Sequence, residues 1–214
     1  MGKPLKTAVL VSGGGTNLQV LIDEEHTMNS SGEQCPYEIA LVVSSASNAY
    51  ALERAKKANI PNFVASPSLL LGEKAKNATR DEKRFAVSNK VFELCKEYKI
   101  EVIVLAGFLT VLGGSIIDKY AEKIINLHPA LLPKFGGVGM FGRYVHEAVL
   151  ASGEKESGIT VHLVDAGCDT GKILLQKRVP VLPNDTPETL YERIAPYEHQ
   201  AIVEGLKLLA KKLS

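Results

Sequence analysis

The stretch "KIINLHP", residues 123–129, places an asparagine and a histidine two positions apart. In an extended strand such residues share a face, so Asn126 and His128 project together while Ile125 and Leu127 face the other side. Together they form a pair of donors able to hold a developing oxyanion, although a turn-capping asparagine and a satisfied core histidine fit the same residues. A histidine that acts as an acid near neutral pH gains from a nearby carboxylate, which favours the imidazolium and raises its pKa. Asp169, in "GCDTGK" between Gly167 and Gly171, is the best supplier, with Asp165 as the alternative. Either aspartate also fits an Asx turn in a glycine-rich loop.

A second kind of chemistry is suggested by "TAVLVSGGGTNLQVLID", residues 7–23. Ala8 to Val11 read as a buried strand, and Leu18, Leu21 and Ile22 recur at helical spacing, so Gly13 to Gly15 form a strand-to-helix turn. Successive glycine N–H groups and an open helix start can converge on an oxyanion such as phosphate. Two phosphate loops fail at the residue level. Leu18 stands where the dinucleotide fingerprint needs its third glycine, and Thr16 and Asn17 follow Gly15 where a nucleoside-triphosphate loop needs Lys and Ser/Thr. A turn that merely redirects the chain is the other reading. His162, inside "ITVHLV", reads as a half-buried strand residue, and His26, His146 and His199 lack metal-ligand spacing, so no metal is expected.

These residues need a scaffold. Strand-like and helix-like patterns alternate through "IALVVSS", "NAYALERAKKANI", "NFVAS", "DEKRFAVSNKVFELCKEYKI" and "EVIVLAGF", which predicts βαβ units and a parallel sheet in this half. Residues 67–79 read as a surface loop or short irregular helix. Residues 130–144, "ALLPKFGGVGMFGRY", read as a long loop, and long ordered loops tend to be functional. "SGITVHLVD" and "KILLQKRVPV" flank "AGCDTG" in a hairpin-like arrangement. A final helix, or two joined at Pro196, starts at Thr186 as N-cap with Pro187 in the first turn. The expected fold is an α/β, Rossmann-like single domain over 1–214, a mostly parallel twisted sheet with helices on both faces.

Forty-five per cent hydrophobic residues in 214 are enough for one sizeable core. A formal net charge of +1 excludes a broad electrostatic footprint for nucleic acid or anionic membrane, so an anionic ligand must be held locally. Cys35, Cys95 and Cys168 form no C-x-x-C pair and read as reduced thiols. "MGKPLKTAVL" shows neither a secretory leader nor a myristoylation signal, and no apolar run nears the roughly 20 residues of a membrane span. A cytoplasmic protein is expected.

Five blocks in order, "VLVSGGGTNLQVLID", "VLAGFLTVL", "INLHPALLPKF", "GITVHLVDAGCDTGKILLQ" and "YEHQAIVEGL", resemble the folate-dependent glycinamide ribonucleotide formyltransferases. The resemblance spans nearly the whole chain. It implies a formyltransferase fold and transfer of a formyl group from 10-formyltetrahydrofolate, as cosubstrate, to the amine of 5-phosphoribosylglycinamide in purine biosynthesis, through a tetrahedral intermediate and without a metal. It implies Asn126, His128 and Asp169 as the catalytic trio and backbone N–H groups of Gly15, Thr16 and Asn17 around the substrate phosphate. Glu198 would bind the ribose hydroxyls. Folate would meet Arg80 and Leu109, Thr110, Val111 and Leu112, with Asn126 and the Asp165–Asp169 loop at its pterin. Residues up to about 110 would form a phosphate-binding half and 111–214 a folate and catalytic half. Thr110 stands where many members carry arginine, and Ala195 replaces a polar or basic residue. The partners implied are small molecules, with no nucleic acid or membrane, in a monomer or homodimer. Two relatives with the same trio, methionyl-tRNA formyltransferase and formyltetrahydrofolate deformylase, usually carry a further domain, for which 214 residues leave no room.

Overall fold

The computed structural model describes residues 2–213. One seven-stranded sheet runs through the chain in the order β3-β2-β1-β4-β5-β6-β7. Its strands are β1 (Leu5–Val11), β2 (Tyr37–Ser44), β3 (Asn62–Val64), β4 (Val102–Leu105), β5 (Ile124–His128), β6 (Glu156–Leu163) and β7 (Ile173–Pro180). Pairings among β1 to β5 are parallel, whereas β5–β6 and β6–β7 are antiparallel; the hairpin-like reading of residues 157–181 anticipates the second of these, not the first. The chain order reverses between β1 and β4. Such a switch point opens a crevice beyond the carboxyl ends of the strands.

The apolar strands are continuous because both sheet faces are covered. Val9 and Val11 pack with α1 (Thr16–Ser30), α6 (Arg143–Ala151) and α7 (Pro187–Leu213), while Ala8 and Leu10 pack with α4 (Arg80–Glu97) and α5 (Ser115–Lys119). On α4 the buried Val87, Val91 and Leu94 follow the 3–4 residue spacing of one helical stripe. Each such burial contributes roughly 1.5–3 kcal/mol. Its start is set by Thr79 and Glu82, which form a reciprocal capping box. The remaining helices are α2 (Ala51–Lys57) and the short α3 (Pro67–Leu71), followed by a 3₁₀ turn (Gly72–Lys76).

Two local expectations are refined. Residues 67–79 take the short-helix option, with Ser66 capping α3 through the Leu69 N–H. Residues 187–213 form one helix with Pro196 inside it, started by Thr186, whose hydroxyl accepts from the Thr189 N–H. Helix α6 lies immediately after the long glycine-rich loop and buries Val145, His146 and Val149. That helix did not stand out in the sequence, because only nine residues follow four closely spaced glycines.

Candidate active site

Asn126 and His128 leave β5 at its carboxyl end on the same face, and both line a cavity of about 410 Å³ beyond the sheet. Antiparallel pairing brings a third polar side chain to them, because Asn126 lies opposite His162 on β6. His162 Nδ1–H donates to its neighbour's carbonyl, Leu163 O, at 2.9 Å, which leaves Nε2 facing the Asn126 amide at 3.1 Å. The Asn126 Nδ2 group also reaches Asp169 Oδ1 at 3.4 Å. His162 is therefore part of the polar cluster and only 2% exposed, rather than the half-buried bystander expected of a strand residue.

Asp169 completes the cluster from the β6–β7 loop. Its backbone is left-handed, φ 57°, a conformation that aspartate tolerates and that concentrates at functional sites. Close packing holds the loop there, since a Cβ on Gly171 would sit 1.8 Å from the Leu163 carbonyl oxygen. The carboxylate accepts from the Gly137 N–H at 3.0 Å and faces His128 Nδ1 at 3.6 Å and His162 Nε2 at 3.5 Å. Burial pushes the Asp169 carboxyl up, but His162, His128 and the Gly137 N–H outweigh it and hold the group below its ordinary range. Asp165, the alternative supplier, is occupied otherwise: Oδ1 accepts from the Gly167 N–H at 2.9 Å and the Thr170 hydroxyl at 2.6 Å. That is the Asx-turn role.

One electrostatic expectation is corrected. Asp169 does favour the His128 imidazolium, yet burial is the larger influence and His162 adds to it, so the His128 pKa lies below its ordinary value instead of above it. His128 is 3% exposed. Its Nε2–H donates to the Phe135 carbonyl at 2.7 Å, from the loop that follows β5. That loop is fixed by Thr160, whose hydroxyl donates to Ala130 O at 2.7 Å and accepts from Leu132 N–H at 3.1 Å.

The other predicted residues divide. Arg80, Leu109, Thr110, Val111, Leu112, Asp165, Asn17 and Glu198 line the same cavity as the cluster, whereas Gly15 and Thr16 do not. Leu109 and Val111 expose apolar surface, and the 137–142 loop adds Val138 and Phe141. Buried Asn17 Oδ1 has no hydrogen-bond partner, which leaves an unmet acceptor on the wall. Beside it, burial pushes the Glu198 carboxyl up to about 7 despite the lowering effect of the Asn17 amide. Gly15 is left-handed, φ 72°, and a Cβ there would lie 2.6 Å from Ala51 Cβ. The glycine is thus required by the approach of α2, not only by access for an anion. Among the described residues no group of His, Cys, Asp and Glu could hold a metal ion.

Residues 5–206 match the sequence profile of the family described as Formyl transferase. This chain belongs to that family. It is 40% identical over 205 residues to the trifunctional purine biosynthetic protein adenosine-3 of Chironomus tentans, covering 96% of this chain and 14% of that protein. It is also 35% identical over 207 residues to the chloroplastic phosphoribosylglycinamide formyltransferase of Vigna unguiculata, covering 97% of this chain and 61% of that protein. The chain thus spans less than two thirds of the length of these curated relatives. Among solved structures, glycinamide ribonucleotide transformylase 1 of Symbiobacterium toebii superposes with a TM-score of 0.84 at 32% identity, covering 99% of this chain and 90% of that one. The formyltransferase α/β fold expected from the sequence is the fold observed.

Sequence reasoning missed His162 and the Phe135 carbonyl. The parity of "ITVHLV" puts His162 on the face of Thr160, but only the β5–β6 register puts it beside Asn126. No pattern announces a backbone carbonyl aimed at a histidine.

Proposed function

We propose that this chain transfers the formyl group of 10-formyltetrahydrofolate to the amine of 5-phosphoribosylglycinamide, a step of purine biosynthesis. The observation that carries the reading is the convergence of Asn126, His128 and Asp169 on one cavity wall in a member of this family. 10-Formyltetrahydrofolate supplies the electrophilic formyl carbon. The exposed apolar surfaces of Leu109 and Val111, with Thr110, Leu112, Arg80 and the Asp165 turn on the same cavity, suit that cosubstrate's apolar ring and polar groups. Asn17 Oδ1, buried without a donor, and the Glu198 carboxyl suit a ligand rich in hydroxyls. Gly15, Thr16 and Asn17, at the start of α1, present N–H groups that no described acceptor takes and that suit its phosphate.

Asn126 and protonated His128 are the donors for the oxyanion that develops as the amine attacks. In the free protein both are engaged internally, so each exchanges an internal acceptor for the oxyanion; the 3.4 Å bond from Asn126 to Asp169 is the longest and easiest to give up. Burial favours the neutral imidazole at rest, so His128 takes its proton from solvent as negative charge develops on the oxygen; the C–N bond to the folate then breaks, the proton lost by the amine passes to the departing folate nitrogen, and His128 keeps its own. Asp169 keeps a carboxylate beside Nδ1 and so steadies the imidazolium. Residues 1–110 then supply the phosphate turn and 111–214 the trio, with Arg80 and Glu198 crossing that division. The free thiols of Cys35, Cys95 and Cys168 support a reducing compartment such as the cytoplasm, and no helix is long and apolar enough to cross a membrane among the described residues. The partners in this reading are small molecules, with the protein a monomer or homodimer.

Incubating the protein with both substrates, and separately with the folate alone, tests the reading. Formyl transfer only when both are present is expected. Hydrolysis of the folate alone at a comparable rate, or no transfer, overturns it.

A further inference from the structure

We infer that Arg54, on α2, is a positioning residue that aims the glycine turn at its anion without touching the anion itself. The inference rests on the phosphate reading of that turn. Arg54 Nε–H donates to Gly14 O at 2.8 Å, and Nη1–H donates to Gln19 Oε1 at 3.0 Å on α1. The guanidinium lies over the Tyr50 ring at 5.1 Å, which fixes its plane. One residue-pair away, the Ala51 N–H donates to Gly13 O at 3.1 Å.

Peptide geometry turns these contacts into an aim. In a planar trans peptide the carbonyl of one residue and the N–H of the next point in opposite directions. Pinning Gly13 O and Gly14 O against α2 therefore directs the N–H groups of Gly14 and Gly15 away from α2. Gly15 O accepts from the Gln19 N–H at 2.9 Å as the first bond of α1, so the Thr16 N–H points out along the helix axis. The Gly15 and Thr16 N–H groups, two of the three donors in the phosphate reading, thus leave the turn away from α2, and the Gly14 N–H is turned the same way. A glycine triplet has no side chains to hold its peptide planes, and unrestrained glycines sample left- and right-handed backbone about equally. Arg54 removes that freedom before the ligand arrives, and such preorganisation raises affinity by lowering the ordering cost of binding. The other flank is braced independently, by the Ser12–Ser45 hydroxyl pair at 2.6 Å and the Leu109 N–H on Ser12 Oγ at 2.9 Å.

The test compares wild type with Arg54→Ala, Arg54→Lys and Gln19→Ala. Two readouts are taken: titration of inorganic phosphate, followed through the amide resonances of Gly15, Thr16 and Asn17, and steady-state formyl transfer. Arg54→Ala should weaken phosphate binding and raise KM for the phosphorylated amine by roughly 5- to 30-fold, the ordering cost of one freed glycine backbone. kcat and the KM for folate should stay within about twofold. Arg54→Lys keeps the charge but cannot span both acceptors, so it should retain most of the defect. Gln19→Ala keeps Arg54 and loosens one of its anchors; it should show a smaller rise in the same direction, and it carries the test together with Arg54→Lys if Arg54→Ala fails to fold.

Wild-type phosphate affinity in Arg54→Ala overturns the inference, as does full rescue by lysine, which would reduce Arg54 to a long-range charge. A turn whose amides do not respond to phosphate in the wild type overturns it too. Absence of formyl transfer by the wild type overturns the proposed reaction instead, and the phosphate titration still decides the role of Arg54.

Discussion

Replacing Glu198 by glutamine should make the protein more stable at pH 8 and leave its stability at pH 4 nearly unchanged. The Glu198 carboxyl titrates near pH 7 in the fold, pushed up from an ordinary 4.5 by burial. The folded state therefore holds a proton that the unfolded chain releases between those two values, so the contribution of Glu198 to stability is fully present below pH 4.5 and is lost as pH rises to about 7. A gap of 2.5 pH units, 7 minus 4.5, at about 1.36 kcal/mol each corresponds to about 3.4 kcal/mol before screening. Glu198 is only partly shielded from water, and screening reduces the figure to about 2 kcal/mol. Glutamine, neutral at every pH, escapes that loss. For a chain of this size the gain corresponds to a rise in Tm of about 4–8 °C at pH 8. Thermal melts of both proteins from pH 4 to pH 8 measure it, with the difference opening between pH 4.5 and 7 and flat above. A difference that does not depend on pH, or a variant less stable at pH 8, would refute the account of Glu198 as a strained carboxylate. The same variant should raise KM for the ribose-bearing substrate, because stability at this position is gained by removing a ligand acceptor.

His128→Ala should leave the fold and substrate binding intact while turnover falls by about two to four powers of ten, as read from single-turnover rates. Asp169→Asn removes the carboxylate that favours imidazolium, so the His128 pKa falls further and activity is lost at lower pH; the alkaline limb of the rate profile should move down, whereas Asp165→Asn, in the Asx turn, should leave it in place. NMR titration of His128 in the two variants checks this, and a lowered pKa in the Asp165 variant alone would reverse the two roles. Gly15→Val should destabilise the protein by about 1–3 kcal/mol in denaturant melts, because its Cβ would overlap Ala51 at 2.6 Å. A variant of wild-type stability whose only defect is phosphate binding would contradict the packing reason for this glycine.

Local pattern carried much of the fold in this chain. The alternation of apolar runs and helical stripes from residue 5 to 105 suffices for parallel βαβ units, because each element's period is a property of its own residues. Parity within "IINLHP" likewise puts Asn126 and His128 on one face, and the glycine triplet marks a turn with open N–H groups. Tertiary structure decided what those groups meet. The β5–β6 register brings His162 to Asn126, and the loop contacts choose Asp169 over Asp165 as the carboxylate beside His128. Burial overrides that carboxylate and lowers the His128 pKa, since desolvation depends on everything packed around a ring and not on its sequence neighbours. The same holds for Arg54, 40 residues from the Gly14 carbonyl that it grips. Sequence spacing conveys which face a side chain takes; distance across the chain, and the dielectric it produces, exist only once the elements are packed.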